Sequence, residues 1–127
     1  MKVLALDYGS ARTGVAVSDP TGVVARPVGV VKRADIDEIV GIVRDQGVEE
    51  VVVGHPLTLR GERGEQAKAA ERFAKALRAT VDVPVVLFDE RFTTDLAEQS
   101  SSATPEDARA AAHLLSSYLE WSASSRR

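Results

Sequence analysis

Apolar positions fall in short blocks along the chain, and their period changes at Asp35. Upstream, Val3 to Tyr8 and Thr13 to Ser18 are apolar runs joined by a glycine-containing polar link, and Val23 to Val31 is a third run interrupted by Pro27. Runs of this length between turn residues predict three strands, and a proline, which cannot donate to a ladder, places the third at an edge or a bulge. Three consecutive strands predict an antiparallel meander. From Asp35, Ile36, Ile39, Val40 and Val43 recur at helical spacing, Asp35 with Glu38 resembles a capping box, and Gly47 is a suitable stop. Val51 to Val53 predict a fourth strand, and His55 to Gly64 a loop. Ala67, Ala70, Phe73, Ala74 and Leu77 mark a helix whose small-residue stripe suits close packing on a sheet. The run "VPVVLFDE" reads as a central strand covered on both faces. "RFTTDLAEQSSSA" reads as a short helix and a loop, and a last helix starts at Thr104 and Pro105 and runs to about Trp121.

Three strands, helix, strand, helix, strand and helix, joined by right-handed crossovers, make an α/β fold with helices on both faces of a mixed sheet. A length of 127 residues, 44% hydrophobic, suits one core, and no stretch approaches the ~20 apolar residues of a membrane span. The expectation is a single domain over residues 1–122 with a flexible tail at 123–127, no membrane partner and no export signal. Without cysteine the chain has no disulfide, thiolate site or thiol nucleophile, which suits a cytoplasmic location, and any metal must be held by oxygen or histidine. A net charge of -3 argues against a generic cationic nucleic-acid coat but not against an enzyme that gathers carboxylates around cations.

The candidate chemistry lies where strands end. Asp7 closes the first strand, and Asp89 and Glu90 close the last apolar run, the places where sites form in open α/β sheets. Neighbours on a strand point to opposite faces, so only one of Asp89 and Glu90 shares a side with Asp7, and spacing does not choose between them. Asp107, in the first turn of the last helix, can converge on the same point or simply cap its own helix, and spacing favours capping. Oxygen donors brought together this way suit Mg²⁺ or Mn²⁺ and two-metal phosphodiester chemistry. Arg12, Arg60, Arg63 and Arg91, with the hydroxyls of Thr93 and Thr94, are candidate phosphate-binding groups. Asp19 before Pro20 reads as a turn residue, His55 as loop support, and Tyr118 with Trp121 as core or contact surface.

Four segments in order, "LDYGSARTGVAVSD", "VVVGHPLTLRGERG", "FDERFTT" and "DARAAAHLLSSYL", resemble the YqgF/RuvX family of RNase H-like nucleases, related in fold to RuvC Holliday-junction resolvases. The resemblance implies an RNase H-like, RuvC-like five-stranded mixed sheet flanked by helices, and an acidic triad at Asp7, Glu90 and Asp107 that binds Mg²⁺ or Mn²⁺ and cleaves phosphodiesters. It implies a nucleic-acid partner, either precursor rRNA of the small subunit or branched DNA, and a monomer or, for junction resolution, a homodimer. Two features depart from the family pattern: "DLAEQSSSATPE" is short and carries no basic residue, and His55 stands where an apolar residue is usual. A non-catalytic nucleic-acid adaptor and a fragment of an actin-like ATPase are the competing classes; the latter needs two such lobes.

Overall fold

In the computed structural model the described residues are 1–93 and 106–125. Strands β1 (Val3–Asp7), β2 (Arg12–Ser18) and β3 (Ala25–Lys32) form the antiparallel meander. Strand β4 (Glu50–His55) returns parallel to β1 on its other side, and β5 (Val85–Asp89) lies parallel beyond it, giving the order β3-β2-β1-β4-β5. The register between β2 and β3 shifts at Val15/Ala16, opposite the stretch that holds Pro27, so the outer strand absorbs its missing donor in an irregularity.

Strand alternation divides the core into two layers. Leu4, Leu6, Val15, Val17, Val51 and Val53 face helices α1 (Ile36–Gln46) and α2 (Glu65–Arg78), while Val3, Ala5, Ala16, Val52 and Phe88 face α3 (Glu106–Ser125). The Asp35 carboxylate accepts from Glu38 N at 3.2 Å at the start of α1, and Gly47 ends it in the left-handed conformation. All five predicted positions of the α2 stripe are buried.

Strand β5 departs from the sequence expectation: it is an edge strand, not a central one. Its continuous apolar run reflects α2 on one face and the Phe88–Tyr118–Trp121 cluster of α3 on the other. Cover above and below produces that pattern whether or not a strand has two lateral neighbours. The true centre is β1, where Leu4, Ala5 and Leu6 are fully buried. After β5 comes only a 3-10 turn, Glu90–Phe92; the rest of the expected short helix and loop, with Thr104 and Pro105, falls outside the described residues. Helix α3 runs past Trp121 to Ser125, so residues 123–125 are helical where the sequence suggested a loose tail. Among the described residues no helix is long and apolar enough to cross a membrane.

Candidate carboxylate site

Asp7 is the last residue of β1, and alternation from Val3 and Ala5 puts its side chain on the α3 side of the sheet. Its partner across the ladder is Gly14. The start of α3 lies directly on that glycine: a Cβ at Gly14 would overlap the Asp107 carbonyl oxygen and stand 2.5 Å from its carbon and 3.2 Å from Ala108 N. A glycine inside a strand thus lets the first turn of α3 reach the end of β1. The consequence is electrostatic, because the Asp7 carboxyl is held above its ordinary value first by burial and then by the charge of Asp107. Asp107 itself is met by Arg12 Nε at 3.2 Å.

The pair Asp89 and Glu90 divides its duties. Strand β5 stops at Asp89, whose carboxylate accepts Arg91 N at 2.9 Å and takes Arg91 Nε at 2.9 Å and Nη2 at 2.6 Å. That guanidinium holds Asp89 below the usual carboxylate range. Glu90 opens the 3-10 turn and swings inward against Gly54, where a Cβ would stand 2.7 Å from Oε2. Burial, then the charges of Asp7 and Asp89, push Glu90 up to about 7. Of the two acids, Glu90 is the one whose carboxylate feels Asp7.

Asp7 therefore interacts with Glu90 on one side and with Asp107 on the other. Among the described residues no three acids or histidines stand together as one ready-made metal cluster, and the coupling runs in pairs through Asp7. Neither Asp7 nor Glu90 has a hydrogen-bonding or cationic partner there. Half-buried carboxylates that repel one another without a counter-charge fit hard divalent cations, which oxygen-only donors prefer. The donor set thus suits Mg²⁺ or Mn²⁺, with Asp7 common to both pairs.

The cations predicted to grip phosphate are largely engaged with other acids. Arg12 pairs with Asp107, Arg91 with Asp89 and the Leu59 carbonyl, and Arg63 with Glu71. His55 Nε2 meets the same Glu71 at 2.7 Å; His55 is the last residue of β4 and not a loop residue as expected, and it ties that strand to α2. Arg60 sits exposed in the loop after β4, Thr93 Oγ1 is buried without a hydrogen-bond partner among the described residues, and Thr94 lies outside them. Asp19 closes its turn by accepting from Val23 N and Val24 N. Sequence reasoning missed Arg72, which with Tyr8, Asp7 and Glu90 lines a cleft of about 520 Å³ beside the carboxylates. It also passed over Gly14 and Gly54, although a glycine within a strand is itself a sign of close approach.

The model of the RuvX family, described as a Holliday junction resolvase, matches residues 1–121. Proteins of Chloroflexus aurantiacus and Thermobifida fusca, provisionally named pre-16S rRNA nucleases, are 48% and 50% identical over 76% and 75% of this chain. The chain spans just under two thirds of their length, 66% and 62%. A Sulfurihydrogenibium protein of the same name is 35% identical over 94% of this chain and 90% of its own. Among solved structures, Thermus thermophilus RuvC in complex with a Holliday junction substrate superposes with a TM-score of 0.68 at 15% identity, covering 96% of this chain and 95% of that one. The same protein in a second structure gives 0.63 at 16% identity, over 98% and 97%. The likeness at this identity is one of fold, and the fold is RNase H-like.

Proposed function

The chain belongs to the RuvX family, and on that premise we propose that it is a divalent-metal-dependent endonuclease acting on the precursor of small-subunit rRNA. Asp7, Glu90 and Asp107 would hold the ions, Asp7 serving both. The observation that carries this reading is the pair of half-buried, mutually repelling carboxylates Asp7 and Glu90, without counter-charge among the described residues, beside a cleft at the open end of the sheet. An adaptor would keep such repulsion without using it. When bound, the ions supply an activated water and charge stabilisation at phosphorus.

The chain's own residues do the positioning. Arg12, two-thirds exposed, keeps Asp107 in place and stands where an incoming phosphate can compete for its guanidinium. The Asp89–Arg91 pair fixes the 3-10 turn so that Glu90 is delivered inward, and Arg91 reaches the Leu59 carbonyl to hold the neighbouring loop against that turn. Gly54 leaves the space into which Glu90 folds. Gly54→Ala is expected to change the melting temperature little, because the added methyl meets the mobile end of a side chain. It should lower kcat about a hundredfold, because Glu90 must turn away. Thermal melts beside single-turnover rates would check this; an unchanged rate removes Glu90 from the site.

The direct test incubates the purified protein with precursor 16S rRNA and with a four-way DNA junction, each with Mg²⁺ or Mn²⁺ and again with chelator. Metal-dependent cleavage of the RNA is expected, abolished by chelation. The family description and the RuvC likeness favour junction resolution as the second reading. Faster cutting of the junction, by a species whose solution mass is that of a dimer, would replace the first reading by the second. Binding of either substrate without cleavage in Mn²⁺ would leave an adaptor.

A further inference from the structure

We propose that the cleft between the end of β1 and α2 is a subsite for one nucleotide of the substrate strand beside the cleaved bond, with Arg72 as its phosphate-binding residue. The inference rests on the nuclease reading above and adds a substrate position and a residue to it. The cleft holds about 520 Å³ and is lined by Asp7, Tyr8, Ser10, Gln66, Arg72 and Glu90. That volume lies within the range of small-molecule sites.

Its chemistry is polar and asymmetric. Asp7 and Glu90 occupy one side, so whatever enters the cleft lies next to the metal-binding acids. Arg12, Arg63 and Arg91 each already face a carboxylate. Arg72 is exposed and makes no ion pair among the described residues, so its full charge and its donor fork are available to an anion. Glu65 lines the same cleft seven residues earlier, two helical turns away on the same face of α2. It repels phosphate from that end, which places the phosphate at Arg72, and the Gln66 amide on the same cleft wall is left for the neutral part of a nucleotide. Tyr8 in the lining is firmly held: its ring packs on buried Phe73 of α2 with centroids 4.8 Å apart. A braced aromatic residue lining such a cleft suits a sugar or base face.

The test compares wild type, Arg72→Ala and Arg72→Lys on a fragment of precursor 16S rRNA. Binding is read by fluorescence anisotropy in Ca²⁺ across a salt series, and KM and kcat by cleavage in Mg²⁺. Arg72 is exposed, so the variants should melt with wild type. Arg72→Ala is expected to weaken binding and raise KM about tenfold, hold kcat within about twofold, and lower the slope of log affinity against log salt by about one phosphate contact. Arg72→Lys should recover most of the loss. Wild-type affinity, KM and salt slope in Arg72→Ala would overturn the subsite, as would a loss confined to kcat. If wild type binds but never cuts, the nuclease reading fails, while the anisotropy and salt series still decide whether Arg72 holds a phosphate.

Discussion

Asp7→Asn is expected to lower cleavage about a thousandfold or more, the order lost when a charge-stabilising group leaves an active site, and at the same time to raise the melting temperature of the metal-free protein. The two effects have one cause. Asp7 sits between Glu90 and Asp107, and its carboxyl is raised by burial and by Asp107, while Glu90 is raised to about 7 by burial, Asp7 and Asp89. Between a carboxylate's ordinary value and its raised one, the folded protein holds a proton that the unfolded chain has released. Stability from these groups therefore falls as pH climbs through that window, for Glu90 from 4.5 to about 7. Asparagine keeps the shape and removes the shared charge. The variant should gain several degrees at pH 8 and little at pH 4, and its stability should depend less on pH between them; about 1 kcal/mol moves a domain of this size by roughly 3 to 6 °C. Mg²⁺ should raise the melting temperature of wild type at pH 8 by cancelling the repulsion, and raise that of Asp7→Asn much less. Calorimetry at pH 4 and pH 8, with and without Mg²⁺, reads all of this. A variant that cuts at the wild-type rate, or melts lower at pH 8, would remove Asp7 from the centre of the site.

Most of the fold was legible because burial writes a period into the chain. Leu4, Leu6, Val15 and Val17 alternate with Val3, Ala5 and Ala16 across one sheet, and Ala67, Ala70, Phe73, Ala74 and Leu77 repeat at helical spacing. The same logic misplaced β5, since a run such as "VVLF" reports covered faces and is silent about lateral neighbours. At the site, an acid closing an apolar strand could be picked out from its position. The choice between Asp89 and Glu90 could not, because the alternation rule applies only while the strand continues, and β5 ends at Asp89 before the 3-10 turn redirects Glu90. The arginines illustrate a different limit. Arg63 and Arg91 looked available along the chain, yet Glu71 arrives from α2 and Asp89 turns back on its own neighbour. Arg72 carries no signal of its own along the chain; only the packing of α2 beside the end of β1 makes it a wall of the cleft.

Gly14→Ala should be the most damaging single methyl in the protein, and the contrast with Gly54→Ala tells why. At Gly54 the obstacle is a carboxylate that can rotate; at Gly14 it is the main chain of Asp107 and Ala108. Backbone in the first turn of a helix cannot step aside alone. The start of α3 must lift from β2, and with it Ala108 and Ala111, both fully buried. Overpacking in a core costs about 1 to 3 kcal/mol and sometimes more, and a clash with main chain belongs at the upper end, about 3 kcal/mol, against a total stability on the order of 5 to 15 kcal/mol. The melting temperature should fall by roughly 10 °C or more. Asp107 moves with its helix, so cleavage measured well below the melting point should fall at least about a hundredfold. Gly29→Ala is the control: Gly29 lies on the neighbouring strand β3, a Cβ there meets nothing within 4 Å, and its rate and melting temperature should match wild type. Full activity in folded Gly14→Ala would mean that Asp107 need not sit against the end of β1, and the metal-binding set would then have to be built without it.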